Sequence, residues 1–285
     1  MIYVLYKNSG VHSGRALRAA LQGLKKEGVR GGYPKFFLKK LKGVKPKLII
    51  NLGTTELDVP GVPFLNSPDM VRAAANKRGA RRTFKEKGVP APAFFDGGQP
   101  IPKEAFPVVG RTSYHSKGKG FWFCADEKAV KQARTAGATH FVKFIPDTRE
   151  YRVHTFVKNE SRAKAQNQRE PGDYRSIKIS EKVWTGVGTP PKAHQKNHEF
   201  GWKFLGQQNR REEELDVVRS AAKEAAAALG VDFGAVDVMY SILYKRAFVL
   251  EVNSTPSLAD ENADTCGKYA ERIAQMLVEP GTAKE

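Results

Sequence analysis

Two apolar segments late in the chain carry acids at positions a strand would bury, and this limits the fold more than any other feature. Phe233-Gly-Ala-Val-Asp237-Val-Met-Tyr240 is followed by Ala247-Phe-Val-Leu-Glu251-Val-Asn253-Ser-Thr-Pro256. Strand alternation puts Ala235, Asp237 and Met239 on one face of the first segment, and Val249, Glu251 and Asn253 on one face of the second. A tight connection around Leu243 to Arg246 sets Asp237 opposite Glu251, and a two-residue shift of register keeps the same faces together. Two carboxylates and a carboxamide then converge. Like charges opposed on a sheet repel, and an unpaired buried carboxylate costs more, so a cation belongs between them. Magnesium, or manganese in its place, suits three hard oxygen donors, because it takes one or two protein carboxylates and completes its shell with water and phosphate oxygens. Ion pairs with Lys and Arg are the alternative.

Composition narrows the class. A chain of 285 residues with 40% hydrophobic content can bury two or three compact units. Cys124 and Cys266 are the only cysteines, with no CxxC and no Cys/His cluster, so neither a disulfide framework nor a zinc site is expected and a reducing cytosol fits. The opening Met1-Ile-Tyr-Val-Leu-Tyr6 lacks the length and basic lead-in of a signal peptide, and no apolar run reaches the length of a membrane span. A cytoplasmic protein with no membrane partner is the expectation, and a homo-oligomer stays open. The formal charge of +18 favours polyanionic partners: nucleotides, nucleic acid or acidic peptide tails.

Along the chain, strands at 2–6, 48–51 and 62–65 with a helix at 13–26 suggest a small α/β unit with a parallel sheet. Residues 31–40 read as a basic, aromatic loop or short helix. Ser67 and Pro68 open a helix over 69–76, and a second helix over 81–87 closes at Gly88 before Val89-Pro-Ala-Pro92. Strands at 106–111 and 121–123 flank a Ser/Lys/Gly loop, a hairpin with a mobile tip whose backbone N–H groups suit phosphate. A helix over 126–136 precedes two strands between His140 and Val157. Residues 161–169 read as a further strand, 170–176 as a charged loop, and the rest to 208 as irregular. Helices over 211–229 and 264–277 complete the chain. The division is 1–68, 69–145 and 146–285.

This order of signals resembles the ATP-grasp superfamily over residues 60–278. Arg152 on a strand, followed by Gly172-Asp173-Tyr174-Arg175-Ser176, is similar to the ribosomal protein S6 modification type of glutamate ligase. The resemblance implies an α/β (α+β) ATP-grasp fold, with two antiparallel-sheet subdomains enclosing ATP after a small Rossmann-like α/β domain. It implies an ADP-forming carboxylate–amine ligase working through an acyl phosphate, with an acidic carboxylate substrate and an amine or amino-acid acceptor. Asp237, Glu251 and Asn253 become the magnesium ligands. Ser113, Lys117, Gly118 and Gly120 belong to a flap over the phosphates, and Val142, Lys143, Phe144 and Ile145 to a hinge beside the adenine. Arg152 and Arg175 serve the transferring phosphate and the acyl phosphate. There are departures. Arg111 stands where a Lys is usual, Lys143 where an acid is common, and Asn76-Lys77 where Asp-Lys is frequent, which leaves Lys77 as a nucleotide contact. His154, on the strand of Arg152, reads as a packed histidine. The competing reading is a catalytically inactive, basic nucleic-acid-binding protein that stacks bases on Tyr33, Phe36, Phe37, Trp184 and Trp202, or a ligase that modifies nucleic acid.

Overall fold

The computed structural model of the chain describes residues 1–7, 12–24, 28–35, 37, 43, 45–57, 59–113, 120–186, 196, 198–206, 209–258 and 264–278. The first sheet is parallel, in the order β2-β1-β3-β4, built from β1 (Ile2–Tyr6), β2 (Val29–Gly32), β3 (Leu48–Leu52) and β4 (Phe64–Leu65). Every residue of β1 and β3 is buried, as expected of parallel strands covered on both faces. Helix α1 (His12–Gly23) lays Leu17 and Leu21 on one face, while Tyr3, Leu5, Phe37, Ile49 and Val62 cluster separately. Residues 31 and 32 belong to β2 rather than to a loop, and Phe37 is 1% exposed, so it is a core side chain and no stacking surface.

Helices α2 (Pro68–Ala75) and α3 (Lys77–Glu86) lead to a small antiparallel sheet in the order β5-β8-β6-β7: β5 (Phe94–Asp96), β6 (Val108–Arg111), β7 (Phe121–Cys124) and β8 (His140–Lys143). Its core, with Val108, Cys124 and Phe141, includes Val130 and Ala133 of α4 (Glu127–Thr135). Phe94, Val109 and Val142 form a second apolar group, against which Phe121 and Phe144 pack.

The large sheet is antiparallel throughout, in the order β11-β10-β9-β12-β13. Its strands are β9 (Thr148–Val157), β10 (Tyr174–Trp184), β11 (Trp202–Gly206), β12 (Phe233–Ser241) and β13 (Arg246–Asn253). Helix α5 (Glu212–Leu229) packs on it through Ala221, Ala222, Ala225 and Ala226, whose small side chains allow a close approach. It ends at Gly230, whose φ of 65° is left-handed and where a Cβ would stand 2.4 Å from Gln166 Cγ. Helix α6 (Asp264–Val278) returns to pack on α1.

Two expectations fail here. Residues 161–169 form turns and one short 3-10 turn rather than a strand, and the Asp173 carboxylate gathers that corner by accepting from Ser161 Oγ (2.7 Å), Lys164 Nζ (2.8 Å) and the Glu170 N–H (2.9 Å). Residues 174–184, where the pattern suggests a loop and then irregular chain, are the eleven-residue strand β10. A bulge between Ser176 and Lys178 breaks the alternation that would have marked it.

One continuous core runs from Ile2, Val4 and Leu17 to Val153, Phe156, Tyr269 and Ile273, joining the parallel and large sheets. Asn66, at a left-handed φ of 59°, clamps the two. Its N–H donates to Asp232 Oδ2 (2.6 Å), its amide donates to the Phe233 carbonyl (2.9 Å), and its Oδ1 accepts from the Asp232 N–H (2.8 Å). Among the described residues, no helix is long and apolar enough to cross a membrane.

Candidate active site

The register of β9, β12 and β13 sets one row across the large sheet: Arg152 pairs with Asp237, and Asp237 with Glu251. A bulge follows, because Val238 pairs with Val249 and leaves Leu250 as the extra residue. This corrects the alternation. Val249 is fully buried opposite Val238, away from Glu251, while Glu251 and Asn253 stay together.

The three oxygen-bearing side chains are bonded to their neighbours. Arg152 grips Asp237 as a fork, Nε to Oδ1 at 2.8 Å and Nη2 to Oδ2 at 2.9 Å. Asn253 Nδ2 donates to Glu251 Oε1 at 2.9 Å. Lys77 closes the end of β13, with Nζ 3.5 Å from Glu251 Oε2, 3.4 Å from Asn253 Oδ1 and 3.3 Å from the Val252 carbonyl. Burial opposes the Arg152 charge, yet Asp237, with Glu251 beyond it, more than compensates and holds the guanidinium above the ordinary arginine value.

Helix α3 brings a second cation. Asn76 caps it by accepting from the Gly79 N–H at 3.0 Å, so the helix starts at Lys77 rather than at Arg81. Lys77 and Arg81, four apart, share a helix face. Arg81 is 8% exposed and donates to the Val249 carbonyl at 2.7 Å. Its pKa falls to about 10 through burial, against the pull of Glu251 and with the push of Arg111. The sequence held this signal in the i, i+4 spacing, hidden by the late helix start. Arg111, at the end of β6, lies over Phe121 with its Cζ 5.5 Å from the ring centroid. Burial lowers its pKa and Glu251 opposes the fall. Four cations thus attend two carboxylates, an excess of positive charge suited to phosphate oxygens.

Among the described residues, no three His, Cys, Asp or Glu side chains gather as a metal site. Two carboxylates and a carboxamide form a smaller set of hard oxygens that fits magnesium, which draws the rest of its shell from water and phosphate.

Ser113 anchors the start of the Ser/Lys/Gly loop: its carbonyl accepts from the Lys77 N–H at 3.2 Å and its Oγ lies 3.0 Å from Thr139 Oγ1. At the far end Gly120 has φ 60°, and a Cβ there would meet Thr112 Oγ1 at 2.6 Å. Lys117 and Gly118 lie outside the described residues. Along 142–145, Val142 and Ile145 are buried, while Lys143 turns its Nζ to the Glu104 carbonyl at 3.3 Å. The Phe144 N–H donates to the Pro107 carbonyl at 3.0 Å.

Arg175 is not brought to this cluster. It pairs with Phe156 at the start of β10, four residues along β9 from Arg152 or roughly 13 Å, and it is exposed. Lys178 is the β10 cation nearer the row, because the bulge pairs it with His154. His154 is indeed packed: Nδ1 lies 3.1 Å from the Tyr269 hydroxyl, and burial, with Arg152 and Lys178 beside it, lowers its pKa to about 3.

No family model matches the chain, and no curated protein matches it. Solved structures do. A D-alanine–D-alanine ligase from Bacillus anthracis is 15% identical and matches over 98% of this chain and 96% of its own, with a TM-score of 0.66. N5-carboxyaminoimidazole ribonucleotide synthetase from Thermotoga maritima is 12% identical over 97% and 75%, with a TM-score of 0.64. The ATP-grasp ligase PsnB, complexed with minimal precursor, Mg and ADP, is 12% identical over 96% and 97%, also at 0.64. The fold is the ATP-grasp fold. Within it, the small and the large antiparallel sheets follow the parallel sheet along the chain, and the row Arg152–Asp237–Glu251 lies on the large sheet.

Proposed function

We propose that the chain is an ATP-dependent, ADP-forming carboxylate–amine ligase. The observation that carries this reading is the cluster itself: Asp237, Glu251 and Asn253 on adjacent strands, ringed by Lys77, Arg81, Arg111 and Arg152. Phosphoryl transfer asks for positioning and charge neutralisation rather than a protein nucleophile, and this set supplies both. A carboxylate oxygen of the substrate attacks the γ-phosphorus, the bond to the β–γ bridging oxygen breaks, and ADP leaves with that electron pair. The amine nitrogen then attacks the acyl carbon, phosphate departs and the amine gives up its proton, leaving an amide. Asp237, Glu251 and Asn253 would hold magnesium, which when bound neutralises phosphate charge. Arg152 and Arg111 meet charge on the transferring phosphate, and Lys77 and Ser113 hold the loop base and the nucleotide. The apolar group of Phe94, Val109, Val142 and Phe144, beside Lys143 and Ile145, takes the adenine. Arg175 has no part in phosphoryl transfer.

The likeness to the S6-modification type rests on Arg152, since Asp173 builds a corner of the fold. The net charge of +18 supports an acidic co-substrate steered to the cleft. Magnesium-dependent ADP release, assayed with single amino acids in the presence and absence of acidic peptides or nucleic acid, tests the proposal. ADP that appears only with one pair, together with a product lighter by one water than its parts, supports it. Silence across the panel counts against it.

A further inference from the structure

Phe204 stands on β11, in a stretch where the sequence pattern offers no role. Its ring centroid lies 4.1 Å from Arg152 Cζ and 5.1 Å from Lys182 Nζ. The registers put it there. Phe204 pairs with Lys182, Lys182 with Glu150, and Ser180 with Arg152, so these side chains share the face that bears Asp237. The short Ser180 side chain lets the ring reach diagonally to the guanidinium. Lys182 is itself held by Glu150 at 2.7 Å.

A guanidinium has five N–H donors around its edge and two π faces. Arg152 uses its edge on both oxygens of Asp237, whereas Phe204 meets the Cζ by its ring and takes no donor. The two contacts are therefore independent. Any ligand that draws the N–H edge away from Asp237 leaves the ring contact in place, and the ring quadrupole keeps attracting the cation.

We propose that Phe204 is a positioning residue for phosphoryl transfer: it holds the plane of Arg152, so that the N–H edge exchanges Asp237 for the transferring phosphate without the guanidinium leaving the row. The inference rests on the ligase reading above. It assigns the outer strands β10 and β11 to the reaction through Arg152 and gives the aromatic character of residue 204 a specific use. A leucine supplies similar apolar bulk without the quadrupole, so a packing role and a positioning role make different demands.

The test uses the full chain and Phe204→Leu, Phe204→Tyr and Arg152→Gln, each checked for folding by circular dichroism. Calorimetry measures the binding of magnesium–ADP with and without aluminium fluoride, a mimic of the phosphoryl group in flight, and needs no knowledge of the co-substrates. We expect Phe204→Leu to bind magnesium–ADP within twofold of the parent and, like Arg152→Gln, to lose tenfold or more with aluminium fluoride present. Phe204→Tyr should match the parent in both. Should the leucine disturb β11, Phe204→Met serves as the second non-aromatic variant. A leucine or methionine variant equal to the parent with aluminium fluoride, while Arg152→Gln is impaired, overturns the positioning role. Equal loss with and without aluminium fluoride also overturns it, since that marks general damage to the fold. A parent chain that binds no magnesium nucleotide, or an Arg152→Gln variant that behaves as the parent, overturns the ligase reading itself.

Discussion

Two Arg–Asp pairs differ in their settings, one on the large sheet and one just ahead of β12. Arg169 and Asp232 lie 2.9 Å apart with side chains 4% and 3% exposed. That pair is tied to backbone on both sides: Arg169 donates to the Gly230 carbonyl at 3.0 Å, and Asp232 accepts from the Asn66 N–H. Arg152 and Asp237 are 23% and 13% exposed, and among the described residues their partners are side chains. Backbone partners are immobile, whereas side-chain partners rotate away when a ligand offers better. The first pair is a staple and the second is exchangeable. Identical chemistry thus yields architecture in one place and, five residues along the chain, the pair assigned above to the proposed site.

The comparison can be broken from either side. Asp237→Asn should lower ADP release on the order of a thousandfold, the scale of losing a preorganised charge at a transfer site. Urea unfolding of that variant should shift by no more than about 1 kcal/mol, because the asparagine keeps one acceptor for Arg152. Retained turnover would remove Asp237 from the site. Arg169→Met should do the opposite, costing about 3–5 kcal/mol by stranding a buried carboxylate while the folded fraction keeps its turnover. A urea midpoint close to that of the parent would show that the staple carries no load.

His154 offers a smaller effect that is legible in pH. Its pKa is about 3 in the fold against an ordinary 6.5, because burial and the cations Arg152 and Lys178 oppose protonation, with the Tyr269 hydroxyl its other neighbour. The unfolded chain therefore binds the extra proton first. This contribution to stability is whole above pH 6.5 and drains away as pH falls toward 3, at up to about 1.4 kcal/mol per pH unit. In Arg152→Gln the acid end of that window should move up, so that less stability is lost in all, and an unchanged window would mean that Arg152 does not help hold His154 neutral. The smallest effect belongs to Arg175→Ala: unfolding within about 0.5 kcal/mol of the parent and ADP release within twofold, as suits an exposed side chain. A tenfold loss of ADP release would return Arg175 to the site.

Much of this was visible in the residues. Asp237 opposite Glu251 follows from strand period and a short connection, since both are local. The bulge at Leu250 was hidden, because one extra residue leaves Glu251 and Asn253 in phase with each other and displaces only Val249. Strand β10 was obscured for the same reason, with a bulge near Ile177 and Lys, Arg and Glu scattered between its apolar positions. Arg81 was missed through a helix start placed four residues late, although Asn76 is a good cap. Phe204 is a different case. Its contact with Arg152 spans three strands, and no pattern within β11 alone points to it.

Asn66 has a consequence for how the molecule assembles. Its bonds to Asp232 and Phe233 close separations of 166 and 167 residues and fasten the entry to β12. Contacts so distant in sequence form late and slow the search for the native topology. The strand bearing Asp237 is thus held in part by a residue at the edge of the parallel sheet, which couples completion of the site to folding of the opposite end of the chain. Hydrogen exchange reports this coupling. The amides of Asn66, Asp232 and Phe233 should exchange only with global opening, whereas those of the turn at 242–245 exchange long before.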